Sequence, residues 1–149
     1  MEAAGQGPRT VLERLVAAVN AHDLDALVSC FAVDYVNETP AHPQRGFRGN
    51  DQVRRNWTHL FAGVPDIRAC VPRSAVDGDT LWAEWELSGT RTDGAAFLLR
   101  GVVIFAVRSA KMASARFYLE PVEDTSGDVA AHTRRVAGPA IGSHPQQQP

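Results

Sequence analysis

Leu81-Trp82-Ala83-Glu84-Trp85-Glu86-Leu87-Ser88-Gly89 decides the fold class. Leu81, Ala83, Trp85 and Leu87 are apolar, and Glu84, Glu86 and Ser88 alternate with them, which is the period of a strand with one buried face. The same period returns downstream. In Phe97–Val107 the residues Phe97, Leu99, Gly101, Val103, Phe105 and Val107 form one apolar set, while Arg100 and Arg108 lie on the other parity. In Met112–Glu120, Ala115, Phe117 and Leu119 alternate with Arg116, Tyr118 and Glu120. Ile67–Arg73 reads as a further strand before them. Asp77-Gly78-Asp79, Asp93-Gly94 and Ser109-Ala110 supply the turns. Links this short require antiparallel neighbours, because a parallel return needs a crossover of about a dozen residues.

Upstream the period changes to that of helices. Thr10 and Glu13 have the spacing of a capping box, and Leu12, Leu15, Val16 and Val19 then share a face. Asp23 is placed to cap a second helix with Leu24, Leu27, Val28 and Phe31 on its apolar side, and the short Asn20-Ala21-His22 link makes the two helices a hairpin. Asn50 is expected to cap a third helix carrying Val53, Trp57, Leu60 and Phe61, closed by Gly63 and Pro65. Tyr35–Thr39 reads as a strand, followed by a Pro/Gly-rich loop from Pro40 to Gly49. Helices first and a meander afterwards define an α+β fold with helices on one face of a curved sheet. The expected organisation is an N-terminal tail (1–8), one domain (9–123) and a mostly disordered C-terminal tail (124–149), with a weak helical patch near Val129–Val136.

Composition narrows the function. The 149 residues are 44% hydrophobic and 21% charged, which fits a single globular domain and excludes disorder throughout. Fifteen basic and 17 acidic residues give a net charge of −2, against a nucleic-acid partner, whose phosphates require a basic field. No apolar run approaches the ~20 residues of a membrane span. Met1–Pro8 has neither basic nor apolar signal character, so a cytoplasmic chain with Cys30 and Cys70 as reduced, buried thiols is expected. Five scattered histidines give no metal-ligand spacing, and no phosphate-binding glycine loop or nucleophile elbow occurs, so neither metal nor cofactor is expected.

The run Val11–Leu27, with its Asn20-Ala21-His22-Asp23-Leu24-Asp25-Ala26-Leu27 phrase, resembles the opening of the nuclear transport factor 2-like superfamily, as does Phe47-Arg48-Gly49 before the third helix. Arg100-Gly101-Val102-Val103-Ile104-Phe105 resembles a strand motif of SnoaL-like polyketide cyclases and ketosteroid isomerases. The resemblance spans about Val11 to Glu123. It implies a conical, curved antiparallel sheet closed by three N-terminal helices, the cystatin-like cone, with Tyr35, Asn37 and Thr39 turned inward.

The enzymatic relatives' acid and base positions are apolar or hydroxylic here. By that resemblance, Thr39 stands where ketosteroid isomerases carry their carboxylate base, and Leu15 and Val103 stand at the two donor positions. Limonene epoxide hydrolases use an Asp–Arg–Asp set; Trp85, Leu87 and Phe117 align with it, while Tyr35 and Asn37 match the pair that orients water. Phe117 and Val103 also take the places of the acidic residue and polar partner of the cyclases. A hydroxyl cannot replace a general base unaided. The resemblance therefore implies a cone drier than those of its enzymatic relatives.

The candidate catalytic residues are Tyr35, Asn37, Thr39 and His42. Tyr35 and Asn37 are suited to bind a ligand oxygen or water, or alternatively to satisfy each other. His42, on the loop expected to rim the cone, is the candidate acid or base, since histidine is the side chain suited to that role near neutral pH, against the plain alternative of a solvated loop residue. Arg45 and Arg48 are suited to an acidic ligand or to an ion pair with Glu38 or Asp51. Leu15, Trp57, Phe61, Trp85, Leu87, Leu99, Val103 and Phe117 are the candidate ligand-binding wall, for which the alternative is a filled core. On the outer face Trp82, Glu84, Arg100, Arg116 and Tyr118 combine aromatics with pairable charges, and the resemblance implies a homodimer through it. Two functions follow. One is a cofactor-free isomerase, cyclase or dehydratase acting on an apolar polyketide-, terpene- or steroid-like molecule. The other is a non-catalytic apolar-ligand-binding protein or dimer scaffold.

Overall fold

The computed structural model describes residues 7–124 and 127–140. Helix α1 (Pro8–Ala21) buries Val11, Leu12, Leu15, Ala18 and Val19. It starts earlier than its expected capping box: Gly7 is the N-cap and Pro8 supplies a preset φ in the first turn, so Thr10 lies inside the helix and caps nothing. Asp23 does cap α2 (Leu24–Ser29), accepting the Ala26 N–H at 3.0 Å. Phe31, expected on that helix, instead opens strand β1 (Phe31–Glu38). A short strand β2 (Phe47–Arg48) pairs antiparallel with β1 and leads into α3 (Asn50–Gly63). Asn50 does not cap α3; its side-chain amide donates to the Phe31 carbonyl.

Four strands follow, β3 (Arg68–Asp77), β4 (Thr80–Thr90), β5 (Ala96–Arg108) and β6 (Lys111–Pro121). They form an antiparallel meander, and the six strands lie in the order β2-β1-β6-β5-β4-β3, an unclosed sheet. One pairing departs from the all-antiparallel expectation: β1 runs parallel to β6, with Asn37 opposite Ala115. The chain between them, containing α3 and four strands, is long enough for the parallel return that the short hairpin links are not.

Register keeps each face coherent. Ala83, Val103 and Phe117 lie in one row across β4, β5 and β6, and Trp85, Gly101 and Leu119 in the next. These rows face α1 and α3. The opposite rows place Glu86, Arg100 and Glu120 together, and Glu84, Val102 and Tyr118 beside them. Arg100 pairs with Glu86 at 3.1 Å and Arg116 with Glu38 at 3.1 Å. The expected partnership of Glu38 with Arg45 or Arg48 is therefore replaced by a bond to the neighbouring strand.

Two further expectations change. Cys30 is buried, but Cys70 is exposed, because it sits on the outward parity of β3. Within the tail expected to be mostly disordered, α4 (Val129–Ala137) forms behind an Asp128 cap that accepts from the Ala131 N–H at 2.8 Å. Residues 1–6 and 141–149 of the expected tails lie outside the described residues. Among the described residues, no helix is long and apolar enough to cross a membrane.

Candidate functional site

The concave face of the sheet and the helices above it enclose a cavity of about 280 Å³. Its wall is built by alternation: Trp85 and Leu87 from β4, Leu99, Val103 and Phe105 from β5, and Phe117 and Leu119 from β6. Leu15 and Val19 cover it from α1, and Val53, Asn56, Trp57 and Leu60 from α3. Phe31, Tyr35, Asn37, Thr39, Arg45 and Phe47 complete the lining.

Polar atoms are concentrated on β1. Tyr35 and Asn37 are two residues apart, so they share the inward face, and the Tyr35 hydroxyl donates to Asn37 Oδ1 at 2.8 Å. Both side chains are buried. The Tyr35 ring is held edge-on by Phe31, with centroids 4.8 Å apart, and leans on Phe47. Burial raises the Tyr35 phenol far above its ordinary value, since the phenolate would sit in an apolar surround. Tyr35 is thus a hydrogen-bonding group and not a proton acceptor at neutral pH. With Asn37 Oδ1 occupied by that hydroxyl, the Asn37 amide N–H groups make no bond to any described residue.

Thr39 also lines the cavity, half-buried, at the end of β1. His42 does not. It turns instead to Glu120, Nε2 to Oε1 2.8 Å, on the parity of β6 opposite to Leu119. The candidate acid or base is therefore removed from the cavity by a hydrogen-bonding partner on the outer face. Phe61 is likewise absent from the wall: it stacks on His22 at 5.0 Å and leans on Trp57, closing the helix ends instead. His22 itself donates from Nε2–H to the Ile67 carbonyl, 2.8 Å away, which ties the end of α1 to the start of β3.

Of the polar and aromatic wall residues, Phe31, Phe47 and Asn56 escape the sequence reading, and Arg45 was read as suited to an acidic ligand without a place in the cavity. Asn56 lies three residues after Val53 and one before Trp57, at the margin of the apolar stripe of α3, so the helical period was a usable signal. Phe47 stands on a two-residue strand too short to show any period. Arg45 belongs to a 3₁₀ turn, Pro43–Arg45, and no pattern in a loop fixes where such a side chain goes. It supplies the single formal charge of the lining. Among the described residues no group of three or more His, Cys, Asp or Glu side chains is arranged to hold a metal ion.

The fold is a curved sheet wrapped around a helix-capped apolar cavity, and the comparisons with known proteins agree with that fold. The chain belongs to the SnoaL-like domain family, whose model matches residues 12–115. No curated protein matches the sequence. Among solved structures it is similar to a putative polyketide cyclase from Sinorhizobium meliloti, at 24% identity over 74% of this chain and 93% of that one, TM-score 0.58. It is also similar to an epoxide hydrolase of the LEH-like type from Mycobacterium tuberculosis, at 16% identity over 74% and 80%, TM-score 0.63. A third, from the same organism and solved in complex with estradiol-17β-hemisuccinate, shares 20% identity over 72% and 89%, TM-score 0.62. At these identities the likeness concerns the fold.

Proposed function

We propose that this protein takes a polyketide-, terpene- or steroid-like molecule into the cavity and holds one of its oxygens against the Asn37 amide. The observation that carries the reading is the make-up of the wall: aliphatic and aromatic side chains on every side, with Tyr35 and Asn37 as a buried polar spot on β1. Removing an apolar ligand from water supplies roughly 25 cal/mol per Å² of surface buried, and one or two placed donors set its orientation. The structural neighbour that holds a steroid ester in this fold is consistent with such a ligand.

The lining argues for binding ahead of proton-transfer chemistry. Its ionisable groups are Tyr35, which burial keeps protonated, and Arg45, whose guanidinium does not release a proton in proteins. A second reading, cofactor-free isomerisation, cyclisation or dehydration, is favoured by the Tyr35–Asn37 hydrogen bond, an arrangement able to polarise a carbonyl or orient a water. In it the side chains stabilise developing charge on oxygen, and the proton moves between groups of the substrate or through water.

Native mass spectrometry of the purified protein tests the first reading. The expected result is a co-purifying small molecule, or binding of added steroid- and terpene-like ketones, that is lost in Leu99→Trp, where the cavity is filled. Absence of any such complex across a panel of these ketones overturns it. Deuterium exchange at the α-carbons of a bound ketone, followed by NMR, separates the readings: exchange accelerated by the protein and slowed by Tyr35→Phe selects catalysis, and exchange at the solvent rate leaves binding alone.

A further inference from the structure

The cavity is polar along one side only. Strand alternation sets Tyr35, Asn37 and Thr39 in file on the β1 side, roughly 6.6 Å from each to the next at about 3.3 Å of rise per residue. The other strands supply Trp85, Leu87, Leu99, Val103, Phe105 and Phe117, whose one side-chain polar atom, the Trp85 indole nitrogen, has no accessible surface. Arg45 and Asn56, the remaining polar side chains of the lining, belong to exposed residues. Hydrogen bonding deep in the cavity therefore comes from β1 and the residue that follows it.

Two donors on that side are unspent. Tyr35 gives its hydroxyl hydrogen to Asn37 Oδ1, which leaves Asn37 Nδ2 without a described partner although the residue is only 6% exposed. Among the described residues, the Trp85 indole nitrogen alone is both unpartnered and without accessible surface. Asn37 Nδ2 is thus unpartnered but open, and the space that its residue lines is the cavity. Buried donors in native proteins are nearly always paired, so this one calls for an acceptor brought by a ligand. Thr39 is next in the file. Its carbonyl accepts the His42 N–H at 2.8 Å, and its hydroxyl bonds no described residue. The 2.8 Å bond from His42 to Glu120 ties this turn to β6 and holds Thr39 at the wall.

We propose that the ligand carries two hydrogen-bond acceptors along one edge, one accepting from Asn37 Nδ2 and the other from the Thr39 hydroxyl, while its opposite edge is free of oxygen. This rests on the ligand-binding reading above and adds to it the number and arrangement of the ligand's oxygens, with Thr39 as the residue that selects for the second. The Asn37 amide nitrogen can only donate, so the group it meets is an acceptor. A 1,5-dicarbonyl chain, whose two oxygens lie on the same side when it is extended, is the simplest compound of this class.

Equilibrium dialysis with 1,5-diphenylpentane-1,5-dione and 1,5-diphenylpentan-1-one, which differ by one carbonyl, tests the proposal. The wild-type protein is expected to bind the dione about fivefold more tightly, the gain of one further hydrogen bond. Thr39→Val keeps the side-chain shape and removes the hydroxyl, so the order should invert: the second carbonyl is then taken out of water with no donor to meet it. Thr39→Ser restores the hydroxyl and should restore the wild-type order. Each preference is a ratio within one variant, so a general loss of affinity through repacking cancels. A wild-type protein that binds the dione no more tightly than the monoketone overturns the inference and leaves the ligand-binding reading standing. Survival of the preference in Thr39→Val, or its loss in Thr39→Ser as well, does the same. Failure of both compounds to bind, while a steroid- or terpene-like ketone does bind, also overturns the inference alone; failure of every ketone overturns both.

Discussion

Tyr35 and Asn37 meet because strand geometry returns every second side chain to one face, so two residues of ordinary polarity become a buried pair inside an apolar cavity. Removing the phenolic hydroxyl in Tyr35→Phe leaves Asn37 Oδ1 without its donor and should cost about 1 kcal/mol, read as a lower urea midpoint. The same burial creates a dependence on pH. Burial raises the Tyr35 phenol from an ordinary value of 10.0 and the Cys30 thiol from 9.0, so the folded chain holds both protons when the unfolded chain has released them. Their contribution is therefore whole below those ordinary values and declines as the pH rises through and beyond them. Urea midpoints measured from pH 8 upward should fall above about pH 9, and Tyr35→Phe should flatten the part of the fall that begins near pH 10. An unchanged slope in that variant would count against a buried, protonated Tyr35. Asn37 and Tyr35 were legible from alternation together with the family phrase; the diversion of His42 to Glu120 was not, since it depends on residues brought together from two distant segments.

At the scale of elements, β5 is the strand on which the site depends. It contributes Leu99, Val103 and Phe105 to the wall, and its inward row is interrupted at Gly101. Gly101 has φ +156°, and a Cβ built there would overlap the Tyr118 carbonyl oxygen on the neighbouring strand. That overlap is with backbone, which cannot swing aside as a side chain can. Gly101→Ala should destabilise the protein by about 2 kcal/mol by forcing β5 and β6 apart, measured by chemical denaturation. Wild-type stability in that variant would mean that the two strands separate more easily than their register implies. The Ser109-Ala110 turn was readable as a two-residue hairpin, and both residues do adopt positive φ, the geometry such loops require. The parallel pairing of β1 with β6 was not readable, because no local pattern in either strand records its distant neighbour.

For the molecule as a whole, the outer sheet face is the surface that remains to be explained. Trp82 is 48% and Tyr118 41% exposed there, amid the Arg100–Glu86 and Arg116–Glu38 pairs. We propose that a second copy of the chain covers this face, since aromatics surrounded by pairable charges are typical of interface cores and rims. Light scattering coupled to size exclusion should give twice the 16.1 kDa chain mass at micromolar concentration, shifting to the single-chain mass in Trp82→Glu. A wild-type species of single-chain mass would count against the dimer.

The sequence by itself determined the helices, the four long strands, and the inward and outward sets on β4, β5 and β6. Periodicity and turn chemistry are local, and a strand's two faces follow from its own residues. Only the tertiary structure decided where the turn and loop residues Arg45 and His42 and the helical Phe61 go: Arg45 to the cavity, His42 to Glu120, Phe61 to His22. It also decided that the Trp85 indole is buried without an acceptor. Such outcomes depend on partners far apart along the chain, and hydrogen bonds and stacking form only once folding has set those partners a few ångströms apart.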